Sequence, residues 1–254
     1  MQFNTLKITL LLISDGWGLK NLSSKSYMDH YETVESVELN NVRIMHARFS
    51  KELELFRCNF NLLAETLRSI INKLDKVLKV RDFAIVIISS KLLLSSKAIL
   101  NLEMNGYDYE ARVIMRTMLE DLLRIICFVR DEKMAQKWLK GKLQASEVKS
   151  FVHDLFFNEN SKELYNELSD FVHTNPKGLG SLVDKKEPGV RISPLLPDSY
   201  EEQMANIGLP TLYLILLLNV IKDAYNEKIE PPLMNKISKS IEHTLLHFKT
   251  LLKI

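Results

Sequence analysis

The chain has 254 residues, of which 46% are hydrophobic and 26% charged, the balance of an ordinary globular protein. Its 34 basic and 32 acidic residues leave a formal net charge of +2. This excludes a strongly basic nucleic-acid platform, although a local basic patch remains compatible with it. The two cysteines, Cys58 and Cys127, each lie within a helical, apolar pattern. A reducing, cytoplasmic location without a disulfide framework is therefore expected.

Residues 1–40 show mixed periodicity and are predicted to form an N-terminal arm or appendage. The apolar run Ile8–Ile13 lacks a clear cleavage site, which disfavours a signal peptide. Between residues 41 and 174 the chain has no proline and only two glycines, Gly106 and Gly141, a composition typical of consecutive helices. Helices are predicted over 41–79, 82–104, 107–130, 132–141, 145–157, 161–174, 201–226 and 233–252.

The proline-rich stretch 175–200 is predicted to be one long irregular loop, a feature that is usually functional or mobile. The apolar run 209–221 is shorter than the ~20 residues that span a bilayer. It is therefore expected to be a buried core helix, and no membrane span is expected. The predicted fold class is all-α: a single multi-helix bundle over residues 41–254, with a long loop near 175–200 and an arm over residues 1–40.

The predicted helix 107–130 combines charged and apolar side chains on one side. Five charges follow one another at four-residue steps: Asp108, Arg112, Arg116, Glu120 and Arg124. Apolar residues lie between them: Val113, Leu123 and Cys127. A helix that is apolar nearly all round is central and buried. Because an unpaired buried ion costs several kcal/mol, Arg116 and Glu120 are expected to find at least one partner outside this helix.

The predicted helix 161–174 carries polar side chains along one edge of its apolar face. Tyr165, Ser169 and His173 follow one another at four-residue steps. His173 lies in the last turn, where the helix C-terminus favours the imidazolium, and Asn175 precedes Pro176, which disfavours helix at Asn175. Two interpretations stay open: His173 is a capping residue, or it belongs to a site together with Tyr165, Ser169 and Asn175.

The two helices together carry a recognisable pair of short motifs. Arg116-Thr117-Met118-Leu119-Glu120 is followed about fifty residues later by Ser169-Asp170-Phe171-Val172-His173. An Arg-Ser/Thr-x-x-Glu element followed by Ser-x-x-x-His resembles a family of all-helical bacterial proteins known only as a domain of unknown function. The similarity covers roughly residues 80–225. It implies an α-helical fold and no established activity.

More distantly, the chain resembles the HEPN helical domains, many of which are metal-independent ribonucleases of toxin and phage-defence systems. Their hallmark is an arginine followed, after four to six residues, by a histidine. The chain departs from this hallmark, since its nearest approach, Arg43 with His46, is too short. A site would have to combine Arg116 and His173 from different helices.

This resemblance implies a metal-independent ribonuclease of stress or phage defence, and RNA or a nucleotide is then the expected partner. His173 is expected to act as general acid or base, Arg116 to hold the phosphate, and Glu120 to orient Arg116. The binding residues are expected to be Tyr165, Ser169, Arg112 and Asn175. No cofactor or metal is implied.

The alternative is a non-enzymatic helical interaction or dimerisation module, in which the Arg-Glu-Ser-His cluster is a structural polar network. It is motivated by the excess of apolar helix surface and by the missing Arg-His spacing. A homo-oligomer is expected. His243 and His247 have a spacing that can hold a metal on one helix face, but no glutamate lies between them and a solvated face is the preferred interpretation.

Overall fold

The computed structural model describes residues 24–74, 79–156, 196–197 and 199–252, and the side chains of 33–74, 79–152, 196–197 and 199–250. This part of the chain forms α-helices joined by short turns and contains no strand. The predicted all-α fold class is therefore confirmed. The helices are α1 Ser24–Arg48, α2 Ser50–Lys73, α3 Val80–Asn105, α4 Asp108–Arg130, α5 Glu132–Leu139, α6 Ala145–Phe156, α7 Tyr200–Ala224, the 3-10 turn η1 Asn226–Lys228 and α8 Pro231–Leu252.

The helix predicted over 41–79 is in fact two helices, and the first of them begins at Ser24. The interruption falls at Phe49, whose backbone leaves the helical region (φ −123°, ψ 31°). Its side chain is fully buried and stacks on Tyr200, with 5.1 Å between the ring centroids. The prediction of one helix was wrong, because neither a proline nor a glycine marks the break in the sequence.

The predicted arm over residues 1–40 is helical from Ser24 onward, and α1 runs through residue 40 without a break. Asn41 is buried, and its Nδ2 donates to the carbonyl oxygen of Asn105 at 2.9 Å. The described part of the predicted arm therefore continues directly into a helix that contacts the end of α3. Residues 1–23 lie outside the described residues.

The turn between α3 and α4 depends on Gly106, which adopts a left-handed conformation with φ 94°. The Gly106 N–H donates to Glu103 O at 3.2 Å, and the Tyr107 N–H donates to Leu102 O at 2.9 Å. This double closure of a helix end favours glycine, since other residues are strained at positive φ. The boundary predicted between the helices 82–104 and 107–130 is confirmed, and it leaves α3 and α4 packed side by side.

Helix α4 lies at the centre of the bundle, as its sequence predicts. Of its residues only Glu110 and Arg130 are exposed, and Met115, Ile125 and Phe128 are fully buried. Helix α7 supplies a second central element through Leu214, Leu218 and Ile221, each fully buried. The run 209–221 is thus the inner part of a longer helix, and its prediction as a buried core segment is confirmed.

Among the described helices, α3 and α7 are long and apolar enough to cross a membrane by length and composition alone. Helices in the core of a protein share those properties. The most apolar window of α7 is 67% buried inside the bundle, whereas that of α3 is only 44% buried. Helix α3 therefore presents apolar side chains on its outer as well as its inner side.

Substituting Gly208→Ala is expected to destabilise the protein, although alanine is the better helix former. A Cβ at Gly208 would lie 2.7 Å from Cε1 of Phe248 on α8, and that ring is itself buried. Overpacking of this kind typically costs ~1–3 kcal/mol. Urea denaturation monitored by circular dichroism measures the change. The loss should shrink in a Phe248→Leu background, and a gain in stability on Gly208→Ala would contradict the close packing of α7 on α8.

Candidate functional site

The charged stripe of α4 begins with an ion pair at the N-terminus of the helix. Arg112 Nε donates to Asp108 Oδ1 at 2.9 Å, and Arg112 Nη2 donates to Glu202 Oε1 of α7 at 2.7 Å. The side chains of Asp108 and Arg112 are only 10% and 12% exposed. The acid precedes the base by four residues, which is the favourable order in a helix. Arg112, expected to bind substrate, is thus engaged by two carboxylates.

An amide side chain of α7 joins this ion pair to the last turn of α3. Asn206 Nδ2 donates to Asp108 Oδ1 at 2.6 Å and to Glu103 Oε2 at 3.1 Å. The turn at Gly106 brings the two carboxylates together, since it places the end of α3 beside the start of α4. We refer to the resulting group as the carboxylate cluster: Glu103, Asp108, Arg112, Glu202 and Asn206.

Sequence reasoning missed three members of the carboxylate cluster, namely Glu103, Glu202 and Asn206. No motif marks them, because they reach the cluster only through the packing of three helices. A signal does exist for Glu103, which lies one turn before a predicted glycine stop and interrupts a strongly apolar helix.

Burial raises the pKa of Glu103 well above its usual value, and the negative charge of Asp108 raises it further. Arg112 and the hydrogen bond from Asn206 act in the opposite direction but do not cancel the shift. Burial would lower the pKa of Arg112, yet its contacts with the surrounding carboxylates raise it overall. The cluster therefore holds a permanent cation, and Glu103 retains its proton above the pH at which an ordinary glutamate loses it.

The remaining charges of α4 form a second, separate group. Arg116 Nη2 contacts Glu120 Oε1 at 2.7 Å, and Arg124 Nη2 contacts Glu120 Oε2 at 3.4 Å. Arg124 Nη1 also contacts Asp121 Oδ1 at 2.6 Å, and Lys91 Nζ of α3 contacts Asp121 Oδ2 at 2.6 Å. We refer to Lys91, Arg116, Glu120, Asp121 and Arg124 as the ion-pair chain.

Arg116 and Glu120 were expected to find at least one partner outside their helix, which stays a prediction for Arg116. In the part of the chain that the structure describes, both carboxylate oxygens of Glu120 contact arginines of α4 itself. The link to a neighbouring helix is made by Asp121, which is one residue further along and faces Lys91 of α3. Sequence reasoning missed Asp121, because it lies outside the four-residue stripe.

Arg116 has the least exposed guanidinium of the ion-pair chain, with 9% of its side chain accessible. Its charge opposes the effect of burial on the nearby hydroxyl of Tyr213, whose pKa is nevertheless raised far above its usual value. Nη2 of Arg116 and Oε1 of Glu120 lie 2.7 Å apart although the base precedes the acid, which is the weaker order in an isolated helix. The Arg116–Glu120 contact therefore depends on the burial of Arg116 rather than on the order of the two residues in the helix.

A small cleft between α4 and α6 borders the ion-pair chain. Glu120 and Arg124 line one side of it, and Lys149 lines the other, together with the apolar residues Leu123, Ala145 and Val148. The cleft exposes part of Glu120, 29% of whose side chain is accessible. It offers charged groups of both signs.

Four of the predicted site residues lie outside the described residues: Tyr165, Ser169, His173 and Asn175. Arg112, Arg116 and Glu120 lie on one helix, as predicted, but fall into different groups, with Arg112 in the carboxylate cluster and the other two in the ion-pair chain. A meeting of His173 with Arg116 stays a prediction.

The prediction that His243 and His247 lie on a solvated face of α8 is wrong for His247. Its Nε2 lies 2.8 Å from Glu52 Oε1 of α2. The two side chains are 9% and 7% exposed. The buried face of α8 passes through Thr244 and Phe248, which draws His247 inward, whereas His243 is exposed. Among the described residues no group of three or more His, Cys, Asp or Glu side chains is arranged to hold a metal ion.

Compared with protein families, with curated proteins and with solved structures, the chain matches none of them.

Substituting Glu103→Gln is expected to stabilise the protein at neutral pH. A carboxyl whose pKa is higher in the folded than in the unfolded state favours folding at low pH, and that contribution is lost as the pH rises through the folded pKa. The wild type should therefore lose stability from about pH 4.5, the usual glutamate value, upward. The glutamine variant lacks this titration.

Thermal melts across pH 4 to 8 test the role of Glu103. The melting temperatures of wild type and Glu103→Gln should converge at low pH and separate with increasing pH, with the variant higher. Glu110→Gln, an exposed position at the start of α4, serves as the matched control. A variant that is less stable than wild type at pH 7 would show that ionised Glu103 is needed by the carboxylate cluster.

Proposed function

We propose that the protein is a non-enzymatic helical interaction module in which the charges of α4 hold the helices of the bundle in register. The observation that carries this proposal is that both carboxylate oxygens of Asp121 contact cationic side chains of the same chain. Its side chain is 5% exposed, and its two oxygens contact Arg124 and Lys91 at 2.6 Å each. Short charge-assisted contacts of this kind are strong and directional. A carboxylate so engaged acts on its own protein rather than on a substrate.

Two polar links fix the position of α3 along α4. The contact between Lys91 and Asp121 lies along the length of the two helices, and Asn206 joins Glu103 to Asp108 at their connected ends. Sliding either helix by one turn would break both links and remove a cross-helix partner from each of the buried carboxylates Asp121 and Asp108. A rigid, uniquely aligned bundle is what a binding surface requires.

The outer side of α3 supplies a surface for association. Phe83, Ile87 and Leu94 are exposed by 39%, 44% and 67% although they are large apolar residues. They share one face of the helix, since they are separated by four and seven residues. An exposed row of apolar side chains on a helix whose other sides are buried is typical of a protein contact site.

A metal-independent, HEPN-like ribonuclease of stress or phage defence is the second candidate, and one observation favours it. Glu120 holds Arg116 at 2.7 Å, as a carboxylate would hold an arginine that neutralises a phosphate. His173 would supply the general acid or base, and Tyr165, Ser169 and Asn175 would contact the RNA. This candidate rests on the resemblance of the two motifs.

Arg116→Ala separates the two candidates. If Arg116 belongs to a structural network, its loss removes one of the two arginine partners of Glu120 and should cost ~1–3 kcal/mol of folding free energy. The cost is smaller than for a fully buried pair, because 29% of the Glu120 side chain is accessible and Arg124 remains beside it. Replacing both residues, Arg116→Leu with Glu120→Leu, should recover part of that loss. The readout is chemical denaturation, with the exposed Arg130→Ala of the same helix as the matched control.

The same variants are incubated with bulk RNA without metal, beside His173→Ala. We expect no cleavage by the wild type. Cleavage by the wild type and by Arg130→Ala, lost in a stably folded Arg116→Ala and in His173→Ala, would overturn the interaction module in favour of the ribonuclease.

A further inference from the structure

We propose that the outer face of α3 binds an acidic amphipathic helix of a partner protein. This inference rests on the proposed function and names the chemistry of the partner. We refer to Phe83, Ile87, Ser90 and Leu94 as the α3 stripe. Its members are separated by four, three and four residues, the alternation that places side chains along the seam between two packed helices.

The α3 stripe has the length and width of a contact surface for one helix. From Phe83 to Leu94 it extends over about 17 Å, or three helical turns. Ser90 lies in its middle, and the Ser90 hydroxyl donates to the carbonyl oxygen of Val86 at 2.8 Å. Its polar group is therefore satisfied within α3. A small side chain flanked by Ile87 and Leu94 lets another helix approach closely between two larger anchors.

Among the described residues of α3 and its N-cap, the exposed charges beside the α3 stripe are positive. At 100° per residue, Lys79 and Lys97 lie on one side of the stripe and Lys91 on the other, and all three are exposed. Lys91 contacts Asp121, yet 53% of its side chain remains accessible. The acidic residues of α3, Asp82 and Glu103, are buried, with 6% and 2% exposure. The outer side of α3 thus presents an apolar row between cationic edges.

Charge complementarity decides the nature of the partner. The positions that flank a helix seam set partner choice, because opposite charges there attract and like charges repel. A second copy of this chain, docked through the same stripe, would bring lysines against lysines. A helix with apolar residues at the seam and Glu or Asp beside them would meet Lys79, Lys91 and Lys97 with opposite charge.

An anionic membrane carries the same charge as such a helix but fits the surface less well. Helices that lie in a membrane interface bury a broad apolar face by about 5–10 Å. The α3 stripe is a single row with a serine at its centre, and the other sides of α3 are packed into the bundle. A row of this width matches the ridge of one helix.

The test uses a synthetic amphipathic peptide of about three heptads, with leucine at the seam positions and glutamate at the flanking ones. A matched peptide carries lysine at the flanking positions. Fluorescence anisotropy with the full chain should show saturable binding of the acidic peptide only. Leu94→Glu should weaken this binding at least about tenfold, the effect of losing roughly 1.4 kcal/mol. Leu246→Glu, an exposed leucine of α8 (62%), should leave it unchanged.

The charge-reversed double variant, Lys79→Glu with Lys97→Glu, is expected to remain folded, because it leaves Lys91 and its contact with Asp121 intact. It should prefer the lysine peptide, and circular dichroism confirms that it and Leu94→Glu remain helical. Equal binding of both peptides, or of neither, would overturn the inference. So would co-sedimentation with vesicles of phosphatidylserine and phosphatidylcholine that Leu94→Glu abolishes, or a dimer in sedimentation velocity that the same substitution dissociates.

These outcomes are separate from those of the RNA assay. If neither peptide binding nor RNA cleavage is observed, only the inference about the acidic helical partner is overturned, and the proposed interaction module stands. Cleavage of RNA that depends on Arg116 and His173 overturns the module itself.

Discussion

The shared carboxylate of Asp121 is the contact on which the described structure depends most. Helix α4 lies in the centre of the bundle and carries charges at positions that water hardly reaches. Each of the buried charges must be neutralised within the protein, because a buried ion without a partner costs several kcal/mol. Asp121 meets this requirement twice, for Arg124 on its own helix and for Lys91 on α3. Neutralisation and alignment are thus provided by one side chain.

In the carboxylate cluster, buried charge is balanced in a different way. Two buried carboxylates, Glu103 and Asp108, and the exposed Glu202 lie around one arginine. Ionisation of both buried carboxylates would leave excess negative charge in the interior. The raised pKa of Glu103 removes part of it by retaining a proton, and Asn206 donates to two of the three carboxylates. The positive φ of Gly106 makes this arrangement possible, since it folds the end of α3 back onto the start of α4. The polar interior is therefore a consequence of the α3–α4 turn.

Helix α3 has two roles that its composition combines. Its inner side packs on α4 and α7, and its outer side keeps an apolar row between lysines. The bundle aligned by Asp121 gives that row a fixed shape, which is what makes a selective contact with another helix physically reasonable. The ion pairs of α4 thus hold α3 in place and thereby fix the geometry of its exposed stripe.

Local sequence determined much of the fold. The absence of proline between residues 41 and 174, the 3.6-residue apolar period and the glycine stop at Gly106 were enough to predict α3, α4, α7 and α8 to within a few residues. The apolar surroundings of the charged stripe were enough to predict that α4 is buried. These features depend on neighbours within one or two helical turns, whose geometry is the same in every helix.

Tertiary structure decided what depends on distant partners. Phe49 stacks on Tyr200, His247 pairs with Glu52, and Asn206 joins Glu103 to the carboxylate cluster. The same holds for the division of the α4 stripe into two groups, since only the packing of α3 and α7 shows which charge faces which neighbour. Sequence alone thus determined which segments are helices and which of them is central. Only the packing of those helices decided the pairing of the buried charges, because electrostatic contacts form between side chains that the chain brings together from far apart.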